Sequence, residues 1–322
     1  MKWGFIGTGF IAQKMADALH TLGNHSVAAA LTRSLPGACE FAKKNSVKKI
    51  YNHIDEFLAD PDVEIIYVAT PHNLHVDGVT ASLEKGKPVL CEKPMGLNTA
   101  QTEKMIALAR SKKIFLMEAM WTHFFPVWEK VREILSSGEL GEIRLVEGKF
   151  CFASTLGLQG RHLNKELAGG ALLDVGIYPI YAAQMIYNEF PSQITGSARI
   201  SSTGVDEINS MIFTYPSGGI ASLSSSVTID APVDAYIYGT RGYIHIPVFF
   251  QPDRLFVVKE GKEKKIEFDR LGNGYTYEVL EVERCLKNGL TESQLITHQR
   301  SLDVARIMDE LRRQWGVIYP GE

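Results

Sequence analysis

The stretch GFIGTGFIAQ, which begins at the fourth residue, constrains the fold more than any other part of this sequence. It sets Gly7, Gly9 and Ala12 directly behind a strand-like apolar run and at the head of a helix-length segment, the context that a G-x-G-x-x-A dinucleotide fingerprint requires. Glycine at position 7 permits the sharp turn, and glycine at 9 lets the backbone approach a pyrophosphate resting on the helix N-terminus. Thr8, Phe10 and Ile11 complete the same turn and are expected to touch the cofactor. A glycine trio alone also fits an ordinary βα turn. Here it opens a series of β-branched runs alternating with helix-length segments that continues to about Trp121, and such alternation predicts a doubly wound parallel sheet of the Rossmann type.

Beyond about Gly138 the pattern changes to longer strands joined by glycine-containing turns, as in MIFTYPSGGIASLSS, YIYGTRGYIHI and LFVVKEGKEKKIEF. These predict a second, α+β domain on an open, mostly antiparallel sheet. Helices are expected at about 177–187, 275–287 and 298–315. The length of 322 residues suits two domains, taken as 1–122, which carries the dinucleotide fingerprint, and 123–322. With 45% apolar and 22% charged residues the chain can bury an ordinary core. The net charge of −3 carries no basic stripe, so neither nucleic acid nor an anionic membrane is an expected partner. The four cysteines stand far apart, with no C-x-x-C pair and no histidine cluster at metal-ligand spacing, so neither structural metal nor disulfides are expected. The strand pattern starts at once and no apolar run approaches ~18 residues, so a cytoplasmic protein without signal peptide or membrane span is expected.

The end of the second strand selects the dinucleotide. An NAD enzyme commonly places Asp or Glu there, about 20 residues past the fingerprint, to bind the ribose 2′-hydroxyl. This chain has Thr32, Arg33 and Ser34, a cation between hydroxyls that suits a 2′-phosphate, unless Arg33 is merely a solvated loop residue. NADP(H) is therefore expected in preference to NAD(H), which remains possible. The fourth strand ends at Thr70 and Pro71, and Asn73 and His75 begin the next helix at the carboxyl edge, where open α/β sheets bind ligands. His75 is read as a helix cap or a neighbour of the nicotinamide half rather than as a catalyst. The fifth strand, VLCEKPM, ends at the same edge with Glu92, Lys93 and Pro94. Lysine is costly to bury unpaired, so Lys93 is either solvated or a cation beside the cofactor that can polarise a substrate oxygen.

Together GFIGTGFIA, ATPHNLH, CEKPMGLN and GGALLDVGIY resemble the glucose-fructose oxidoreductase / inositol dehydrogenase (Gfo/Idh/MocA) family over nearly the whole chain. The E-K-P at the fifth strand is the most specific match, and EKPMGLN, FLMEAMWTHFFP and GGALLDVGIYPI are most similar to its dihydrodiol and D-xylose dehydrogenase branch. The resemblance implies hydride transfer between NAD(P) and a sugar, cyclic polyol or dihydrodiol. It places Lys93 by the nicotinamide and the reacting hydroxyl, and Asp174 as the acid of a D-x-G-x-H motif whose histidine position holds Tyr178. That branch also carries tyrosine there, so the departure argues against an inositol dehydrogenase proper.

Removing a hydroxyl proton as hydride departs needs a base. Tyrosine, with a pKa of about 10, needs a neighbouring cation for that role near neutrality. Lys93 could supply it, with Tyr178 as general acid/base and Asp174 as orienter; alternatively Lys93 moves the proton itself. Asp174 and Tyr178 stand one turn apart if the segment is helical. Its bland reading is a core helix whose tyrosines, Tyr181 and Tyr187 included, are packing residues. Trp121 and Phe150 could stack on an apolar ring or serve as core, and Arg161 and His162 could reach the substrate or cap their loop. A silent NADP(H)-binding sensor on the same scaffold, or an assembly protein, would need no acid/base set. The small, weakly charged SLSSSV face suits packing, and a homodimer through the second sheet is expected, with a higher oligomer possible.

Overall fold

The computed structural model describes residues 1–32 and 35–322, in two compact units. The first comprises Met1–Trp121 and Arg270–Leu302, and the second Thr122–Asp269 and Asp303–Glu322. The second stretch expected from the sequence, 123–322, is thus interrupted, because one segment returns to pack with the first unit.

In the first unit β1 (Lys2–Ile6), β2 (Ser26–Leu31), β3 (Lys49–Tyr51), β4 (Ile65–Val68), β5 (Val89–Glu92) and β6 (Leu116–Ala119) form one parallel sheet in the order β3-β2-β1-β4-β5-β6. Every residue of β4, β5 and β6 is buried, which is why these strands do not alternate apolar with polar residues; Glu92 and Glu118 are the two acids among them. The connecting helices are α1 (Phe10–Leu22), α2 (Leu35–Lys44), α3 (Ile54–Ala59), α4 (His75–Glu84) and α5 (Thr99–Lys112). One face of the sheet buries Ile66, Val68, Val89, Cys91 and Leu116 against Val79 and Leu83 of α4 and Met105 and Ile106 of α5. The entry to α5 is pinned twice: Asn98 Oδ1 accepts from Gln101 N at 2.9 Å, and Gln101 Oε1 accepts from Leu97 N at 3.0 Å. This pair also fixes the exit of the segment that follows Lys93.

The second unit opens with α6 (Pro126–Ser136), whose proline occupies the first helical turn, where its missing N–H costs nothing. Its sheet comprises β7 (Ile143–Cys151), β8 (Gln193–Ile200), β9 (Asp206–Thr214), β10 (Ile220–Ser226), β11 (Asp234–Gly239), β12 (Gly242–Pro247), β13 (Arg254–Lys259) and β14 (Lys262–Glu267). The order is β14-β13-β12-β11-β7-β10-β9-β8, antiparallel except where β7 runs parallel to β10. The three glycine-turn segments of the sequence are its hairpins β9–β10, β11–β12 and β13–β14. Burial alternates along β10, so one face is packed and the other open. The packed face carries α7 (Ile177–Tyr187), buried along almost its entire length.

The chain returns to the first unit as α8 (Tyr275–Lys287), which packs on α1, and closes with α9 (His298–Trp315). Among the described residues no helix is long and apolar enough to cross a membrane, and no cluster of His, Cys, Asp and Glu is placed to hold a metal. All four cysteines are free, and only Cys39 is exposed.

Candidate active site

In the first unit, the expected cofactor residues that are described lie at or just past the carboxyl ends of β1, β2, β4 and β5 in the parallel sheet. Gly7 turns out of β1 with φ +101°, and a Cβ there would lie 2.6 Å from the Ala69 carbonyl oxygen, so only glycine fits. Gly9 caps α1 with ordinary backbone angles, and a Cβ there would meet nothing within 4 Å. The open space lies at the N-terminus of a 13-residue helix that has neither a side-chain cap nor an acid in its first turn. Those free N–H groups and the helix dipole suit an anion such as a pyrophosphate. Close by in the chain, Phe10 is 79% exposed. At the end of β4 the Thr70 hydroxyl is buried without a hydrogen-bond partner, a donor a ligand could use. The residues present therefore fit a dinucleotide. Thr32 is buried, its N–H donating to Tyr51 O at 3.0 Å, whereas Arg33 and Ser34 lie outside the described residues.

His75 joins two strand ends. Its Nδ1 is 2.8 Å from Pro94 O and its Nε2 2.9 Å from Thr70 O, with the ring fully buried. Burial lowers its pKa below the ordinary histidine value, despite the carbonyls that favour the cation. Both ring nitrogens are engaged by backbone, so His75 braces the edge. Pro71 leads into the short 3₁₀ turn His72–Leu74, which contains Asn73 and precedes α4.

Behind Lys93 stands a layer of buried acids that sequence reasoning missed. Glu92 accepts a hydrogen bond from the Tyr67 hydroxyl and another from Lys93 N at 3.2 Å, and Glu118 Oε1 accepts from Met95 N at 2.7 Å. These bonds tie the backbone on both sides of Lys93 and Pro94, whose peptide bond is cis. Lys93 itself is half-buried. Glu278, on the returning α8, is fully buried and neither carboxyl oxygen has a hydrogen-bond partner. Burial and then Glu92 hold its carboxyl well above the ordinary value, and burial, Glu92 and Glu278 raise the Tyr67 phenol. Only three-dimensional proximity could reveal this layer, since Glu278 lies far from Glu92 in sequence. Trp121, read from the sequence as either a stacking surface for substrate or core, is buried and stacks on Tyr275 of α8 with ring centroids 4.2 Å apart.

The raised carboxyl of Glu278 has a testable consequence. From about pH 4.3, where an exposed glutamate titrates, up to its folded value, the native state holds a proton that the unfolded chain has lost. This contribution to stability is present below that window and lost as pH rises through it. Glu278→Gln should therefore show a shallower decline of thermal midpoint between pH 4.5 and 8 than the parent. The buried histidines act equally on both proteins, so parallel curves would refute the assignment.

In the second unit Asp174, Tyr178, Arg161, His162 and Phe150 are gathered. Asp174 sits in a π-helical turn, Leu172–Gly176, where Ile177 N–H bonds to the Leu172 carbonyl five residues back; α7 follows directly. The helix expected at 177–187 thus forms over those residues and is preceded by a π-helical turn that holds the acid; such bulges recur at functional sites. Asp174 is buried, with Arg161 Nη2 at 3.4 Å and His162 Nε2 at 3.7 Å. His162 Nδ1 in turn lies 2.6 Å from Ser154 Oγ. Tyr178 is buried with its ring centroid 5.2 Å from that of Phe150 and 6.1 Å from that of Phe250; Phe150 and Phe250 are 4.5 Å apart. Phe250 was not singled out from the sequence, because a second phenylalanine after a strand carries no signal of its own. Tyr181 is core, and Tyr187 stacks on Tyr215 while its hydroxyl donates to Ile220 O at 2.8 Å.

Comparison with known proteins agrees with this architecture. Residues 1–120 match the oxidoreductase family with an NAD-binding Rossmann fold, Gfo/Idh/MocA, and residues 128–245 match the Gfo/Idh/MocA C-terminal domain. The chain belongs to the Gfo/Idh/MocA family. It is 39% identical to trans-1,2-dihydrobenzene-1,2-diol dehydrogenase of Xenopus laevis over 99% of both chains, and 37% identical to the enzyme of that name from Homo sapiens over 99% of this chain and 98% of that one. Among solved structures, an aldose-aldose oxidoreductase from Caulobacter crescentus complexed with glycerol superposes with a TM-score of 0.89 at 22% identity, covering 98% of each chain. A 3-ketoreductase from Actinomadura kijaniata in complex with NADP and TDP-benzene gives 0.87 at 23% identity, covering 97% of each. These two likenesses establish the fold. As a Gfo/Idh/MocA member the chain is an oxidoreductase acting on a small molecule, with a dinucleotide-binding Rossmann unit.

Proposed function

We propose that this oxidoreductase is an NADP-dependent dehydrogenase that transfers hydride between the nicotinamide and a secondary hydroxyl or carbonyl of a dihydrodiol, cyclic polyol or sugar. The observation that carries the reading is the full-length identity of 39% to a named dihydrodiol dehydrogenase. The retention of Lys93, Asp174 and Tyr178 in one chain supports it. In this reading the first unit holds NADP, and the second, formed by the remainder of 123–322 once Arg270–Leu302 has returned to the first, holds substrate and dimerises.

When bound, the dinucleotide supplies the hydride acceptor or donor. The cradle for it is the Gly7 turn with Thr8, Gly9, Phe10 and Ile11, then Thr70, Pro71, Asn73 and His75 at the sheet edge, with Glu92, Lys93 and Pro94 beyond. Thr32, Arg33 and Ser34 receive the 2′-phosphate. Tyr178 takes the substrate hydroxyl proton in oxidation and returns it in reduction. The Lys93 cation stabilises the phenolate and the developing alkoxide. Asp174, steadied by Arg161 and His162, orients the substrate, and Phe150 and Trp121 offer aromatic faces to its ring.

The first test is NADP⁺ reduction across trans-dihydrodiols, D-xylose, D-glucose and inositols. Turnover with at least one is expected, with kcat/KM for NADP⁺ at least tenfold above that for NAD⁺. A preference for NAD⁺ would overturn the cofactor assignment, and NADPH binding without turnover on the whole panel would favour a sensor.

Association through the open face of the second sheet belongs to the same reading. That face carries half-buried Tyr236, Tyr238, Tyr243, His245 and Phe256 in a run of ring contacts, with exposed Ile220 on β10 and Ile212 on β9 beyond the intervening β7. A second copy of the chain is the expected occupant.

A further inference from the structure

Beneath the π-helical turn that carries Asp174 lies a buried polar network outside the set of residues assigned to chemistry. Asp206, the first residue of β9, has no exposed surface. Its Oδ2 accepts from Leu172 N at 2.8 Å and from Asn209 Nδ2 at 2.8 Å. Asn209 Oδ1 accepts from Ser225 Oγ, on the paired strand β10, at 3.0 Å. Leu172 N is one of the helix-entry amides that no turn of the helix can satisfy, and Asp206 satisfies it from an adjacent strand.

The neighbouring backbone fits the same purpose. Gly170 has φ +128°, and a Cβ on it would lie 2.6 Å from Asp206 Oδ1. The Gly169 carbonyl accepts from Tyr319 Oη at 2.5 Å, which holds the approach to the turn from the other side. A carboxylate is an expensive group to bury for packing alone, because leucine would fill the space without desolvation. Burial pushes Asp206 up to about 7, against the lowering influence of Asn209, Leu172 N–H and Arg312, whose guanidinium is itself engaged by Asp309 and Glu322. A neutral side chain with an acceptor in the Oδ2 place would therefore serve nearly as well.

We infer that Asp206, held by Asn209 and Ser225, is a positioning residue that sets the start of the π-helical turn and thereby the placement of Asp174 and Tyr178. It touches neither substrate nor cofactor and acts through Leu172 N–H. This rests on the proposed dehydrogenase function.

The test compares full-length Asp206→Ala, Asp206→Asn and Asn209→Ala with the parent. Asp206→Ala should lower kcat at least thirtyfold while the dissociation constant for NADPH, read by its fluorescence, stays within twofold. Amide exchange in the 170–178 segment should rise at an assay temperature where circular dichroism reports a folded chain. Asp206→Asn keeps an acceptor and should recover kcat to within about threefold of the parent, and Asn209→Ala should lose about tenfold. A role confined to stability would lower the thermal midpoint of the variants and leave kcat per folded molecule unchanged, which overturns the inference. If Asp206→Ala does not fold, Asn209→Ala decides: kcat within twofold of the parent and unchanged exchange in 170–178 refute the role. Absence of parental turnover on the whole substrate panel overturns the functional reading and this inference together, whereas an active parent with unaltered variants overturns the inference alone.

Discussion

Lys93→Met is expected to lower kcat by about 10²- to 10⁴-fold, the range typical of a lost acid/base or electrostatic group, while leaving the fold intact. The side chain is only half-buried, and the backbone on either side of it is tied independently: Glu92 accepts from Lys93 N, and Glu118 from Met95 N. Methionine has similar length and no charge, so the strand end should keep its course. The companion variant Tyr178→Phe removes a single oxygen from a ring that remains packed on Phe150 and Phe250. If Tyr178 carries the proton, its loss costs a comparable factor. In Lys93→Met the acidic limb of kcat/KM for oxidation, where the base takes up its proton, should then move up toward the free phenol value of about 10. If Lys93 carries the proton, Tyr178→Phe keeps most of its activity with an unmoved pH profile. Full activity of Lys93→Met would remove Lys93 from the reaction altogether.

The sequence made the local parts of this site legible and left the supporting parts hidden, for a physical reason. Gly7 and Gly9 could be found because a tight turn restricts residue type at consecutive positions. Lys93 was singled out because a cation is conspicuous at the end of an apolar strand and because the E-K-P there matches the family. The helices at 177–187, 275–287 and 298–315 were visible as helix-length breaks in the strand pattern, and each forms over those residues. Glu278 and Asp206 were not visible. Each is an acid in a segment that reads as an ordinary helix or strand, and its meaning lies in a neighbour supplied by another element: Glu92 on β5 for the first, Leu172 N–H for the second. The π turn escaped for a similar reason, since a helix with one extra residue keeps the composition of a helix. The return of Arg270–Leu302 to the first unit was equally hidden, because nothing in the composition of α8 names the sheet it will cover.

A paired substitution in the fingerprint separates the demands of the fold from those of the ligand. Gly7→Ala should damage both. Its φ of +101° is one that alanine rarely adopts, at a cost of about 1–3 kcal/mol. The added Cβ would stand 2.6 Å from Ala69 O and 2.9 Å from Ala69 C, backbone atoms at the end of β4. Those atoms have little freedom to retreat, because Thr70 O lies 2.9 Å from His75 Nε2, and the other nitrogen of that ring is committed to Pro94 O. Relief would therefore displace the whole carboxyl edge, adding about 1–3 kcal/mol of overpacking. The thermal midpoint should fall by several degrees and NADPH affinity by at least a hundredfold. Gly9→Ala meets neither obstacle, since its φ is −80° and its Cβ would have nothing within 4 Å. Its midpoint should match the parent's, yet the methyl group would stand where a pyrophosphate must approach, so NADPH affinity should still fall tenfold or more. Scanning calorimetry and NADPH fluorescence titration on the two variants read these outcomes directly. Unchanged affinity in Gly9→Ala would mean that the open space before α1 does not receive the dinucleotide, whatever Gly7→Ala does to stability.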